Sequence, residues 1–446
     1  MSTPNRTPPA RFVTGSLMRH VTVMAGTGAI GLVAVFAVDL INLLYISLLG
    51  EKAIAAAVGF AGVVGFFHLS VCIGLMIGIT ASVARLIGAG KTDDARRMAT
   101  HSIVLMTVST AALALLTMAG LEPLLRLLGA QDDVARLAQR YLLITLPSAP
   151  LMGIGMATSA LLRSVGDARR SMMVTLSAAV ITAVLDPLFI FGLGLGLDGA
   201  AIVAVISRTV LVGMGLRAAI RVHHLLGRWQ QAKLLQDMRS LTQVAAPAVL
   251  TNLATPVGAA FVTHSVAQFG AAAVAGQATI DRVTPVAFGL IYSLSGAVGP
   301  ILSQNLGARQ FDRVREGFRA SLWFMLVCVA AAWALLAVLQ TPLVWTFSLD
   351  GMAAEMMHAF CSWLAASFFF AGALFVANAA FNNLGHPLWS TGFNWARATL
   401  GTVPFAWWGA QYGPVQVLAG QAAGFVIFGS LALWAAFHVT YRLGRS

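Results

Sequence analysis

Two carboxylates stand inside apolar stretches that are long enough to cross a lipid bilayer. Asp39 lies eleven residues before the polar turn at 50–52, and Asp186 lies about ten residues from the glycine-rich turn at 194–199. At about 1.5 Å per helical residue, both acids are roughly 15 Å deep in a hydrocarbon layer about 30 Å thick. An acid at that depth costs on the order of 3 kcal/mol and usually marks a pathway for ions or substrate.

The chemistry available to such a pair is the binding of a cation. Two nearby carboxylates repel each other in a partly dry pocket, and a proton or a metal ion such as Na⁺ relieves that repulsion. Ion binding then favours one arrangement of the protein, and a competing substrate favours another. Two structural alternatives stay open: Asp186 could cap or kink the helix beside Pro187, and Asp39 could form an ion pair with Arg208.

Further polar residues recur at helical spacing around the two acids. Each is one turn from an acid or shares a face of the fourth predicted helix, which predicts a polar chamber in the first half of the chain. The candidate lining residues are Asn42, Tyr141, Thr145, Ser159 and Thr182.

The second half of the chain also carries polar residues within apolar runs. Gln277 and Asp281 share one helical face, and Asn378 and Arg397 lie in later runs. All four are candidates to line a substrate cavity. For Asp281, a neutralising pair with the adjacent Arg282 or a packing contact is an equally good explanation.

Composition defines the class of protein. The 446 residues are 58% hydrophobic and only 10% charged, whereas soluble domains carry about 25% charged residues. We therefore expect a polytopic all-α protein embedded in the lipid bilayer. The net charge of +12 lies mainly between apolar runs, so it predicts membrane topology and no nucleic-acid partner. The chain contains neither a metal-binding H-E-x-x-H motif nor a nucleophile elbow, and an enzyme is not expected.

The apolar runs predict about twelve spanning helices. Placing the N-terminus in the cytoplasm puts 21 of the 28 Lys and Arg residues in cytoplasmic segments and four outside. This asymmetry predicts that both termini are cytoplasmic. The expected spans are 20–48, 54–82, 97–120, 136–162, 169–192, 198–221, 241–269, 273–303, 317–341, 355–383, 388–410 and 414–440.

The chain repeats itself at an interval of about 219 residues. The turn Gly88-Ala89, followed by Asp93 and Arg96, recurs as Gly307-Ala308 followed by Asp312 and Arg315. An even number of helices in each half makes the repeats parallel. The expected parts are a tail at 1–19, an N-terminal lobe at 20–221, an amphipathic cytoplasmic linker at 222–240, a C-terminal lobe at 241–441 and a tail at 442–446.

Several stretches resemble the multidrug and toxic compound extrusion (MATE) transporters. They are VDLINLLYISLLGEKAIAAAVGF at 38–60, GAGKTDDARR at 88–97, the run at 161–208, NLGARQFDRVREGFRAS at 305–321 and NAAFNNLGHP at 378–387. The resemblance implies two six-helix lobes around a V-shaped central cavity. It also implies that Asp39 and Asp186 are the cation-coupling acids, with Tyr141 as their neighbour.

The resemblance to these transporters implies a secondary antiporter of the plasma membrane, which in a bacterium is the inner membrane. It would export amphipathic organic cations in exchange for protons or sodium by alternating access, as a monomer. The coupling ion would be the sole cofactor, and Asp39 and Asp186 would be metal ligands only in the sodium-coupled case. The alternative is a flippase for a lipid-linked or polysaccharide precursor on the same fold, because three arginines within the spans, Arg208, Arg282 and Arg397, could hold an anionic head group.

Overall fold

The computed structural model describes residues 10–49 and 52–444, and all regular elements within these ranges are helical. The first half contains α1 (Leu17–Leu48), α2 (Lys52–Gly88), α3 (Thr92–Ala119), α4 (Leu121–Leu127), α5 (Asp132–Thr145), α6 (Ala149–Ser164), α7 (Ala168–Pro187) and α8 (Gly196–Arg217). The second contains α9 (Gln231–Ala267), α10 (Ala271–Ala287), α11 (Gly289–Gly307), α12 (Phe311–Thr346), α13 (Gly351–Ser362), α14 (Phe368–Leu384), α15 (Pro387–Ala396), α16 (Val403–Gly409) and α17 (Pro414–Arg442).

Each expected span corresponds to one helix or to consecutive helical pieces. Within the described residues, ten helical segments are long and apolar enough to cross a membrane, and some of them join consecutive elements such as α5 and α6. The bent pair α10 and α11 makes an eleventh. The polytopic helical fold is therefore confirmed. The expected span 388–410 is broken, because the π-helical segment Arg397–Gly401 separates α15 from α16. Pro404, the second residue of α16, cannot donate a backbone hydrogen bond.

The described chain divides into two compact units. Unit 1 contains Ile30–Val249, and unit 2 contains residues 10–29 and 250–444. Both α1 and α9 are divided between units, after Ala29 and Val249. These two points are 220 residues apart (249 − 29), close to the interval of the sequence repeat.

The residues expected as an amphipathic linker do not form a separate helix. His223–Gln230 lie outside regular helix, and residues from Gln231 onward already belong to α9. The segment is bound to α3 by hydrogen bonds: the Gly227 amide donates to the Arg96 carbonyl at 3.2 Å and to Thr100 Oγ1 at 3.0 Å.

In unit 1, the break between α5 and α6 shapes the interior. Residues Leu146–Ser148 form a 3-10 turn, with Pro147 inside it and Pro150 directly after it. Prolines interrupt the backbone ladder of a helix and leave carbonyl groups without amide partners. In this turn the Ala149 amide donates to the Leu146 carbonyl, and the Thr145 carbonyl accepts a hydrogen bond from Arg208 Nη1 at 2.7 Å.

In unit 2, α14 is the central helix and is buried along most of its length. The phenyl rings of Phe288 and Phe368 stack with centroids 4.0 Å apart. Ser303 donates a hydrogen bond to Asn383 Oδ1 at 2.7 Å, which joins α11 to α14. The packed interior thus includes a polar seam.

Candidate ion-coupling and substrate site

Asp186 is the most confined acid of unit 1. The residue is 1% exposed, and neither carboxylate oxygen has a hydrogen-bond partner among the described residues. It lies at the end of α7, where Pro187 leads into the π-helical segment Leu188–Gly192. No side chain caps that segment, so the structure does not give Asp186 a capping role. A buried carboxylate without partners is costly while it is ionised.

Asp39 has the opposite exposure. It lies in α1, is exposed and belongs to no ion pair within the described residues. The alternative partner, Arg208, instead donates to the Thr145 carbonyl and to Ser148 Oγ, each at 2.7 Å. The Asp39–Arg208 ion pair considered from the sequence is therefore not formed in this structure.

Tyr141 is a third residue of the predicted site in unit 1. This half-buried residue of α5 lies within electrostatic range of Asp39, Asp186 and Arg208. Two acids and one arginine of unit 1 therefore act electrostatically on the same phenol. A proton or a cation bound to Asp186 offsets the cost of burying that carboxylate.

The other predicted residues of unit 1 differ in their surroundings. Thr145 and Ser159 are buried, while Asn42 and Thr182 are half-buried. The Ser159 and Ser171 hydroxyls lie 2.7 Å apart, so Ser159 joins α6 to α7. Thr182 donates to the Ala178 carbonyl at 3.0 Å, whereas Asn42 Oδ1 is buried without a partner. Asn42 is thus the only one of these four with an unused buried polar atom among those described.

In unit 2, Gln277 and Asp281 lie on α10. Gln277 is buried and donates to Thr263 Oγ1 at 3.1 Å, while Asp281 and Arg282 are both exposed. Asp281 forms no ion pair with Arg282 in the structure described. The neutralising pair considered from the sequence is therefore absent.

Arg397 is a buried cation of unit 2. It is 4% exposed, and its Nε has no hydrogen-bond partner in the described part of the chain. Its Nη2 lies 3.5 Å from Thr255 Oγ1, and its Cζ lies 4.6 Å from the centre of the Phe425 ring. One turn earlier, Asn394 donates to Asn378 Oδ1 at 3.0 Å. Because no carboxylate pairs with Arg397 among the residues described, most of its donors are available to an anion.

Two polar clusters of unit 1 escaped the sequence reasoning. Asp237 of α9 accepts hydrogen bonds from Arg97 and His101 of α3. Asp167 lies 2.7 Å from His223 Nε2 and 2.5 Å from Arg170 Nη1. Burial alone would raise the pKa of Asp167, but the hydrogen bonds from His223 and Arg170 hold that pKa well below its usual range. No group of three or more metal-ligating side chains occurs in the part of the chain that the structure describes.

Comparison with known proteins gives matches over nearly the whole chain. The MatE family model matches residues 29–188 and 247–408. A protein of Shewanella oneidensis named FAD transporter is 30% identical over an alignment of 395 positions that covers 87% of each chain. The probable multidrug resistance protein YpnP of Bacillus subtilis is 24% identical over an alignment of 447 positions that covers 97% of each chain.

Solved structures match as well. A mutant of the Vibrio cholerae MATE transporter VcmN superposes with a TM-score of 0.90 at 26% identity, covering 96% of this chain and 97% of that one. A MATE protein in a conformation described as straight has a TM-score of 0.91 at 19% identity, covering 100% of both chains. The second match supports the fold alone, since its sequence identity is low.

Proposed function

Since this chain belongs to the MatE family of membrane transporters, we propose that it is a secondary antiporter in which cation binding at Asp186 and Asp39 drives export of organic molecules. The main observation in support is that Asp186 is buried without a hydrogen-bond partner among the described residues. Its two buried carboxylate oxygens lack hydrogen-bond partners within the described structure, and only a proton or a cation such as Na⁺ compensates an isolated buried carboxylate.

The two acids have complementary roles in this mechanism. Asp39 is exposed and binds the entering ion first. Asp186 is buried, so an ion bound there neutralises a carboxylate that is costly to keep ionised. Tyr141 lies within electrostatic range of both acids and orients the site. Ion binding stabilises one conformation and the substrate another, so each displaces the other through its differential affinity. No covalent chemistry is needed.

The first proposed substrates are amphipathic organic cations. Two acids and one arginine around Tyr141 give unit 1 a net negative site when both acids are ionised, which attracts cations. Relatives with multidrug names, such as YpnP, support this substrate class. Transport is proposed to take place in the plasma membrane, with the protein acting as a monomer and both termini in the cytoplasm.

FAD is the second candidate substrate, and Arg397 is the observation that favours it. FAD carries two phosphates and a flat ring system, and the relative with that name matches 87% of this chain. A buried guanidinium with unused donors suits a phosphate, because its planar fork can bind two oxygens at once. The Phe425 ring lies 4.6 Å from the guanidinium carbon and contacts it through a cation–π interaction.

A flippase for an anionic lipid-linked precursor has weaker support. It would need several free arginines, but Arg208 is already engaged by the Thr145 carbonyl and by Ser148. The names of the relatives also refer to drugs and FAD. We therefore place the flippase after both exporters.

The test is transport by purified protein in proteoliposomes, with proton and sodium gradients imposed separately. The substrates are ethidium, as a fluorescent planar cation, and FAD. Asp39→Asn and Asp186→Asn should each lower gradient-driven transport about tenfold or more, in line with typical coupling energies. Glu122→Gln is the matched control, because this exposed acid of α4 has a side chain that is 60% exposed.

The two gradients identify the ion, and the two substrates identify the cargo. Loss of transport in both acid variants with folded protein supports coupling at the acids. Normal ethidium and FAD transport by Asp186→Asn would refute it. No movement of either substrate by folded wild-type protein would favour the flippase.

A further inference from the structure

A basic cavity of about 670 Å³ is lined by described residues of unit 2, and Arg397 is not among them. Four basic side chains line it: Arg309, His386, His438 and Arg442. No Asp or Glu lies among the described lining residues. The nearest acid in sequence, Asp312, is held by Arg315 at 2.6 Å. The described lining of the cavity is therefore positively charged.

Arg309 occupies a backbone position that favours glycine. Its φ is +58°, in the left-handed region. Its counterpart in the first repeat, 219 residues earlier, is Gly90, which has φ +72°. Glycine adopts this conformation without strain, whereas an arginine does so only at a cost. Backbone strain of this kind concentrates at functional sites, and here the strained residue contributes a cation to the cavity.

The cavity lies where five helices of unit 2 begin or end. Its lining residues belong to the turn after α11, the start of α12, the segment joining α14 to α15, and the end of α17. Trp389, which is 43% exposed, and Phe311 add apolar surface beside the basic groups. The ends of membrane-spanning helices lie at the depth of lipid head groups, where Trp is common.

From this combination we propose that the cavity is a binding site for the head group of an anionic phospholipid. Arg309 and Arg442 contact the phosphate, and Trp389 packs against the first carbons of an acyl chain. Basic pockets between helix ends are suited to anionic head groups, and each added arginine near the membrane surface strengthens binding about fivefold. Two arginines and no opposing acid among the described lining residues give charge complementarity with such a lipid.

The experiment measures lipid affinity by native mass spectrometry and by thermal unfolding of the full chain in a neutral detergent. The probes are phosphatidylglycerol and phosphatidylcholine with matched acyl chains. Wild-type protein should prefer phosphatidylglycerol. Arg309→Gly should weaken that binding about fivefold, and the double variant Arg309→Gly/Arg442→Gln about 25-fold. The control is Arg228→Gln, which removes the same charge from an exposed arginine of unit 1.

Because the backbone at Arg309 is strained, the variant Arg309→Gly can distinguish a role in lipid binding from a role in stability. Without lipid, Arg309→Gly should unfold at the wild-type temperature or above it, because glycine relieves the left-handed backbone. Earlier unfolding of this variant, or unchanged phosphatidylglycerol affinity in the double variant, overturns the proposal. Equal competition by soluble glycerol phosphate or pyrophosphate also overturns it in favour of a soluble anion. Should Arg309→Gly fail to fold, Arg309→Asn and Arg442→Gln provide the same comparison, because Asn tolerates positive φ.

Discussion

Nδ1 of His101 lies 2.7 Å from Oδ2 of Asp237, although the two residues are 136 positions apart. His101 is 0% exposed and Asp237 is 3% exposed. Arg97 Nε also donates to Asp237, at 3.0 Å, and the Trp229 ring packs edge-on against the imidazole at 4.8 Å between centroids. This contact ties the first turns of α9 to α3 within unit 1.

Removing the charge of Asp237 should therefore destabilise unit 1. Asp237→Asn leaves Arg97 and His101 without their shared acceptor, and breaking a buried ion pair costs about 3 kcal/mol or more. Thermal unfolding can be followed with a thiol-reactive fluorogenic dye, because Cys72 and Cys361 are buried.

The control for this change is Asp93→Asn, at a carboxylate of the same helix α3 whose side chain is 93% exposed. It should leave the midpoint nearly unchanged. Equal midpoints for Asp237→Asn and wild type would mean that the cluster carries no net stability.

The sequence predicts the helices well because hydropathy is a local property. Apolar runs bounded by glycine and charge mark the spans, and the repeat interval places equivalent turns. The break at Arg397–Gly401 escapes this reasoning, because a π-helical turn changes neither composition nor length. Likewise, hydropathy cannot indicate that α9 begins at Gln231 in unit 1 and continues into unit 2.

Site residues were predictable where their type conflicts with their surroundings. Asp39 and Asp186 are conspicuous because acids are rare inside apolar runs, although their roles in coupling stay predictions. Partnerships are harder to predict. The sequence offered Asp39 as a partner for Arg208, but Arg208 binds a carbonyl freed by the break after Thr145. Such a backbone partner is visible only when the tertiary structure is known.

A glycine pair in α2 tests the close approach of α2 to α9. A Cβ at Gly74 would lie 2.6 Å from the Val249 backbone nitrogen and 2.9 Å from the Val249 Cα. Gly74→Ala should therefore destabilise the protein by about 1–3 kcal/mol, since the backbone cannot easily move away. Gly65→Ala in the same helix has nothing within 4 Å of its Cβ, so it should be neutral or slightly stabilising. Equal thermal midpoints for the two variants would contradict the close packing of α2 against α9.

Asp167 should give a stability difference that depends on pH. Its carboxylate, 5% exposed, accepts hydrogen bonds from Arg170 and lies 2.7 Å from His223. Because its pKa is lower in the folded protein than in the unfolded chain, ionised Asp167 stabilises the fold above pH 4 or so. This contribution is lost as the pH falls toward the folded-state pKa.

We expect Asp167→Asn to lower the free energy of unfolding by about 2 kcal/mol at pH 7, the usual value for hydrogen bonds to a charged group. The difference should persist to about pH 5 and shrink below about pH 4. Denaturation at a series of pH values measures it. Asp133→Asn, at a side chain that is 72% exposed, should show no such difference, and a difference that grows on acidification would reverse the assigned sign.

Arg208 should act as a positioning residue for the broken helix of unit 1. Arg208→Gln removes the donor to the Thr145 carbonyl and to Ser148, and the cost should be about 1–3 kcal/mol. Tyr141 lies in α5, before the break, and within electrostatic range of Arg208. Arg208→Gln should therefore change the pH profile of ethidium transport as well as its rate. Arg208→Lys should restore part of the stability, since it retains a charged donor. The control is Arg221→Gln, an exposed arginine at the end of the same helical run. A change in stability alone would limit Arg208 to a structural role.

Arg397 separates the two proposed substrate classes. If its guanidinium binds phosphate, Arg397→Gln should lower FAD transport by about tenfold to a hundredfold, because a good bidentate contact with an anion is worth about 1.5–3 kcal/mol. Ethidium transport should stay the same or rise, since a cation gains nothing from this group. Arg397→Lys should recover FAD transport only in part, because an ammonium cannot bind two oxygens in the same planar geometry.

Riboflavin, which has the same ring system without phosphate, is the matched substrate control, and Arg228→Gln is the matched charge control. Equal losses for riboflavin and FAD would assign Arg397 to folding or to ring contacts, and unchanged FAD transport would remove it from substrate binding.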